Sequence, residues 1–160
     1  MALTVADIAE LIRRPDADKA AVIERVRSWT KEGLLEPAGD RNPGTGRPRL
    51  YDESAAYDAA ILNAMADLGL HVGQQRYFMV LQNLALEART KWAQGKRNLY
   101  LEIADHGRPN PQGGTHTVHL HERLKMQSGA EASLILKIGR LFARVEKGMA
   151  GLNKASKAAA

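Results

Sequence analysis

Cysteine is absent from the 160 residues. That excludes a disulfide framework, a cysteine-ligated zinc and a catalytic thiol, and it suits a reducing compartment. No apolar run approaches the length of a membrane span, and the segment Met1 to Asp18 sets acids and arginines where a signal peptide carries its apolar core. A cytoplasmic location without a membrane partner is expected. Catalytic motifs are missing too. The segment around Gly44 and Gly46 lacks the Lys-Ser/Thr pair and the following helix of a nucleotide loop, and there is no nucleophile elbow with His and Asp partners. No cofactor site and no enzymatic constellation is read from the chain.

Charge is present in excess of one sign, but unevenly. The formal net charge is +5 and the pI is near 9.6, which points to a polyanionic partner. Residues 1–72 carry nine Lys and Arg against twelve Asp and Glu, a net −3, whereas residues 73–160 carry fourteen against six, a net +8. Within 25–49 six cations still face only Glu32, Glu36 and Asp40. A local basic face on a mildly acidic region is the consequence.

Thr4 and Asp7 have the spacing of a capping-box start for a short amphipathic helix on Val5, Ile8, Leu11 and Ile12, which Pro15 stops. Asp16 or Asp18 can cap a second helix whose apolar stripe is Val22, Val26 and Trp29, and Gly33 ends it in the left-handed conformation. Leu34 and Leu35 begin an extended segment, a Gly- and Pro-rich loop follows, and Arg49 to Tyr51 form the return strand. Asp52 caps a third helix that runs to Gly69. Helix, stop, strand, basic loop, strand: this order describes a helix with a wing.

Such a unit can set cations on neighbouring phosphates while its helix enters a DNA groove. Arg25 and Arg27, with Ser28, lie on the outward face of the helix, where Arg donates twice to guanine and Ser reaches base or phosphate, and Lys31 follows them. Arg41, Arg47 and Arg49 lie on the wing, where Gly44 and Gly46 allow close approach to a phosphate backbone.

The run from Val26 to Pro37 followed by Arg47 to Ala55 resembles the N-terminal DNA-binding domain of the MerR family of bacterial regulators. There a recognition helix ends in an acidic-Gly-Leu-Leu turn, a wing follows, and an Arg-Leu-Tyr-Asp strand leads to the next helix. The resemblance covers residues 2–72. It implies that Arg27, Trp29, Lys31, Arg49 and Tyr51 contact phosphates or hold the helix against the wing.

Beyond residue 72 a fourth helix is expected from about Gln74 to Trp92, with Tyr77, Phe78 and Trp92 in the core. Leu99, Leu101 and Ile103, then Val118 and Leu120, alternate as in a β-hairpin over 97–124, which must pack on a helix or on another subunit. His116, His119 and His121, with His106 across the loop, are the only candidate metal ligands. His119 and His121 share a strand face and His116 has the opposite parity, so a polar strand face is the preferred reading. From Ala130 to Leu152 the residues Leu134, Ile138, Leu141, Val145 and Met149 recur at alternating four and three, a helical stripe fit for homodimerisation. The tail 154–160 has no apolar stripe and is expected to fray.

The fold expected is mainly α: a winged helix-turn-helix over 1–72, then an α-helix, β-hairpin, α-helix module over 73–153 for oligomerisation or sensing. The function expected is that of a nucleoid-associated, homodimeric, sequence-specific regulator of double-stranded DNA. The alternatives are an architectural or excisionase-like DNA-binding protein, and a ligand- or metal-responsive sensor.

Overall fold

The computed structural model describes residues 1–39, 44, 47–81, 83–107, 116–124 and 126–158. The architecture is mainly α with two small antiparallel sheets. Among the described residues no helix is long and apolar enough to cross a membrane.

β1 (Leu3–Thr4) runs directly into α1 (Val5–Ile12), where the Thr4 hydroxyl accepts from the Asp7 amide and the Asp7 carboxylate accepts from the Thr4 amide. This reciprocal cap satisfies two donors that the first turn leaves orphaned. Asp18 caps α2 (Lys19–Lys31), and Gly33 leaves it at φ 69°. β2 (Leu50–Tyr51) then returns to pair with β1, Leu3 opposite Tyr51. Asp52 caps α3 (Glu53–Asp67), which is buried on nearly every side and is the hub of the molecule.

The extended segment expected at Leu34 and Leu35 is not a strand. Both residues are buried, and both amides turn back onto the Trp29 carbonyl at 2.8 and 3.2 Å. The return strand finds its ladder on β1 instead, and one bond, from the Ala38 amide to the Leu50 carbonyl at 2.7 Å, ties in the preceding chain. Arg41 and most of the loop after Gly39 lie outside the described residues.

The single fourth helix is also corrected. α4 (Val72–Arg76) passes into a π-helical turn at Tyr77–Leu81, Asn83 sits at φ 50°, and α5 (Leu84–Ala93) starts afresh. Asn tolerates the left-handed region better than most residues, so the break needs neither Gly nor Pro. The two pieces meet different partners. Phe78 faces Ile103 and Leu70 across a cavity, whereas Trp92 packs edge-on against Phe142 at 5.6 Å.

β3 (Tyr100–Asp105) and β4 (His116–His121) form the expected hairpin, with Glu102 opposite His119, but a third strand completes it. β5 (Ala132–Leu136) pairs with the other edge of β3, giving the order β4-β3-β5. The helix expected from Ala130 therefore begins only at Ile138, and Leu134 is a strand residue. α6 (Ile138–Ala158) buries Ile138, Phe142, Val145 and Met149 within its own chain, against α1, α3 and β3. At about 1.5–3 kcal/mol per buried side chain this packing takes up most of the stripe read as a dimer seam. α6 runs to Ala158, into the tail, where Ala and Lys are good helix formers and Lys157 complements the negative end of the helix.

α6 can reach the sheet only because of Gly139. A Cβ there would lie 2.0 Å from the Arg97 carbonyl oxygen, and its amide donates to the Leu99 carbonyl at 3.0 Å. One hydrophobic core consequently runs from α1 and α3 through α5 to α6 and the sheet.

Candidate nucleic-acid interface

α2 is amphipathic, and its inner face is fixed firmly. Val22, Val26, Trp29 and Thr30 are buried. The Trp29 indole donates to the Gln75 side-chain oxygen at 2.9 Å, and the Gln75 amide nitrogen donates in turn to the Leu70 carbonyl at 2.8 Å. The helix is thereby held against the start of α4 at a defined rotation. Its outer face presents Glu24, Arg27, Ser28 and Lys31 to solvent.

The sequence-derived residues separate in this setting. Arg27, Ser28 and Lys31 are exposed on one face of α2; Arg27 is paired only with Glu24 one turn away, and the Ser28 and Lys31 side chains have no partner among the described residues. Arg47 is exposed on the segment leading into β2, and Arg49 is half-buried.

Arg25 is engaged elsewhere. Its Nη1 donates to Asn63 Oδ1 at 3.0 Å and to Asp67 Oδ1 at 2.6 Å, which ties α2 to the end of α3. A guanidinium held between two acceptors fastens the two helices together.

Tyr51 is corrected outright as a nucleic-acid contact. It is fully buried, and its hydroxyl lies 2.7 Å from Thr30 Oγ1. A strand residue opposite Leu3 must point its ring into the core to seal β2 onto α2. Of the two roles that the family resemblance implies, only holding the helix is open to it.

Arg76 was not singled out by sequence, since it lies on a different helix 44 positions from its partner. Its Nη2 donates to the Glu32 carbonyl at 2.5 Å and pairs with the Glu32 carboxylate at 3.3 Å. A cation thus caps the C-terminus of α2, where the helix dipole favours it.

His106, His119 and His121 gather around Thr117 and Glu102, with their ring nitrogens turned to protein partners. His121 Nε2 lies 2.9 Å from Glu102 Oε2, and His119 Nε2 lies 3.0 Å from Thr117 Oγ1, with the two rings stacked at 5.9 Å. Burial, then the neighbouring His121, holds the His119 imidazole below its ordinary pKa. His106 meets the same Thr117 hydroxyl at 2.8 Å. His116 is on the opposite face, lining a cavity of ≈ 360 Å³ with Gln74, Phe78 and Asp105. Among the described residues no group of three or more His, Asp and Glu side chains could hold a metal ion.

What α2 offers chemically is a helix with Lys31, the Ser28 hydroxyl and the Arg27–Glu24 ion pair on an exposed face, backed by a buried Trp–Gln clamp. In comparisons with known proteins, no family model matches the chain and no curated protein matches it.

Proposed function

We propose that the protein is a sequence-specific, double-stranded-DNA-binding transcriptional regulator that acts as a homodimer. The observation that carries this reading is the outer face of α2: Arg27, Ser28 and Lys31 are exposed together while the inner face is locked by Trp29 and Gln75. A helix of 13 residues fixed in this way can enter a major groove without reorganising, donating from Arg27 and Ser28 to base edges and from Lys31 to phosphate. Arg47 would meet the flanking backbone. The +8 balance of residues 73–160 supports a polyanionic partner.

Ile138, Val145 and Met149 of the heptad stripe are buried within the chain and so are not offered to a second copy. Among the described residues of the C-terminal part, Leu86 on α5 and Leu124 and Met126 beyond β4 are large apolar side chains each more than half exposed, and they are the surface offered to a second copy. Two joined copies would read two half-sites on one face of the duplex.

Footprinting of the intact chain on genomic fragments tests both parts. A discrete, two-fold-symmetric protected site that weakens steeply as salt rises is the expected result. Continuous protection would replace the regulator with a coating protein, and absence of protection at low salt would end the DNA-binding reading.

A further inference from the structure

A second basic surface lies away from the outer face of α2, assembled from residues that are far apart in the chain. Arg14 after α1, Leu68 after α3, and Lys137, Arg140 and Arg144 at the start of α6 line a groove of ≈ 380 Å³. Among the described residues four cations line it and no carboxylate does. Such a cluster repels itself, so its persistence in the fold calls for a compensating charge.

That compensation is incomplete within the protein. Arg14 Nε pairs with Asp67 at 3.2 Å, and Arg144 Nη2 donates to the Ile12 carbonyl at 2.9 Å. Arg144 Nε is buried with no hydrogen-bond partner among the described residues. The Lys137 and Arg140 side chains are exposed and likewise without a partner among the described residues. Both stand at the positive end of a 21-residue helix whose first turn carries no acid, an arrangement unfavourable for cations unless an anion joins them. Burial, then the charge of Arg14, lowers the Arg144 pKa, in keeping with a site short of negative charge.

Asp67 connects this groove to α2. Its carboxylate receives Arg14 from the groove and Arg25 from the flank of α2, so a single ion-paired carboxylate separates the groove from that helix.

We propose that the groove lined by Arg14, Lys137, Arg140 and Arg144 is a phosphate-binding site, occupied in the DNA-bound protein by the backbone of the duplex that α2 reads. The phosphate site stands on the groove itself; the identity of its occupant rests on the DNA-binding function proposed above. The apolar floor at Leu68 contributes no phosphate donors, so the side chains hold the anion as point charges and forks.

The test uses the full chain, the double variant Lys137→Gln with Arg140→Gln, and the α2 double variant Arg27→Gln with Lys31→Gln. All four residues are exposed, and matched thermal melts establish that each protein folds. Binding to a labelled mixed-sequence duplex is followed by anisotropy across a salt series, and binding of inorganic pyrophosphate by calorimetry. The groove variant is expected to lose roughly tenfold or more in duplex affinity, to flatten the salt dependence by about two released counterions, and to lose pyrophosphate binding. The α2 variant should lose duplex affinity but keep pyrophosphate.

If the wild-type chain binds pyrophosphate through Lys137 and Arg140 but binds no duplex, the phosphate site stands with a free phosphate ester as its source, and the DNA-binding function fails. Duplex binding unchanged in the groove variant, with no pyrophosphate bound by the wild type, overturns the groove and leaves that function intact. Binding of neither probe by the wild type overturns both.

Discussion

The Tyr51 hydroxyl lies 2.7 Å from Thr30 Oγ1 in the buried seam between β2 and α2, and it must be the donor there. A Thr hydroxyl has one proton, and that of Thr30 goes to the Val26 carbonyl at 2.9 Å. Removing each partner therefore has a different effect. Tyr51→Phe leaves an acceptor that already has one bond and is expected to cost about 1 kcal/mol. Thr30→Val strands the Tyr51 proton in an apolar seam and is expected to cost more, about 2 kcal/mol. Urea denaturation of the two variants checks the order; the reverse order would show that the proton lies on the other oxygen.

Arg25 and Lys31 lie on one helix but answer to different forces. Arg25 is held by Asn63 and Asp67, whereas Lys31 is exposed with no partner among the described residues. Arg25→Ala should lower the unfolding free energy by about 1 kcal/mol, a partly exposed ion pair being modest in value. Lys31→Ala should leave stability within about 0.5 kcal/mol and weaken duplex binding several-fold, with a shallower salt dependence. Thermal melts paired with anisotropy titrations separate the two effects.

What could be read from the chain was whatever its neighbours along the chain decide. Thr4 with Asp7, Asp18, Gly33 and Asp52 act within one helical turn, and each begins or ends a helix where the spacing requires. The period-two runs at Leu99–Ile103 and His116–Leu120 likewise announce β3 and β4. The strand β5 escaped because Leu134, Ile138, Leu141 and Val145 fit a heptad as well as a strand followed by a helix; the choice is made by β3, which offers an open edge. Tyr51 escaped for a related reason, since its ring direction is set by pairing with Leu3, 48 positions earlier. The α4–α5 break has no local signal beyond Asn83, whose left-handed backbone is one option among several for that residue. The basic groove joins Arg14 to Arg144, and no spacing rule links side chains that far apart.

Asp58 on α3 is a charge the fold does not fully accommodate. Oδ2 pairs with Arg89 at 3.1 Å, but Oδ1 is buried without a partner among the described residues. Burial raises its pKa from an ordinary 3.8 to about 6 despite the pull of Arg89. The folded state thus holds this proton more tightly than the unfolded chain, so stability falls as pH rises from about 4 through about 6 and then levels. The charged form costs on the order of 3 kcal/mol at neutral pH. Asp58→Asn is expected to stabilise the protein by about 1–2 kcal/mol at pH 7 and to do nothing favourable at pH 4. Denaturation midpoints across that range check it, and an unchanged pH slope in the variant would refute the assignment.

Glu102 behaves in the opposite sense, although it is more deeply buried. It lies at the centre of β3, fully inaccessible, and three donors converge on it: Ser133 at 2.6 Å, the Gln127 amide at 2.9 Å and His121 at 2.9 Å. Burial alone would raise its pKa, but the hydrogen bonds from Ser133, Gln127 and His121 outweigh it and hold the carboxyl below the ordinary 4.5. Its stabilisation is therefore present above the ordinary carboxylate range and is lost as pH falls through the depressed value. Because Ser133 lies on β5 and His121 on β4, one carboxylate fastens both edges of the sheet to its centre. Glu102→Leu strands all three donors and is expected to cost about 3 kcal/mol or more at pH 7, where Glu102→Gln keeps one acceptor and costs less. The leucine variant should also lose the acid-side decline in stability that this carboxylate contributes. Loss of hydrogen-exchange protection in β4 and β5 together, with α1 and α3 still protected, is the signature that distinguishes a severed sheet from general unfolding.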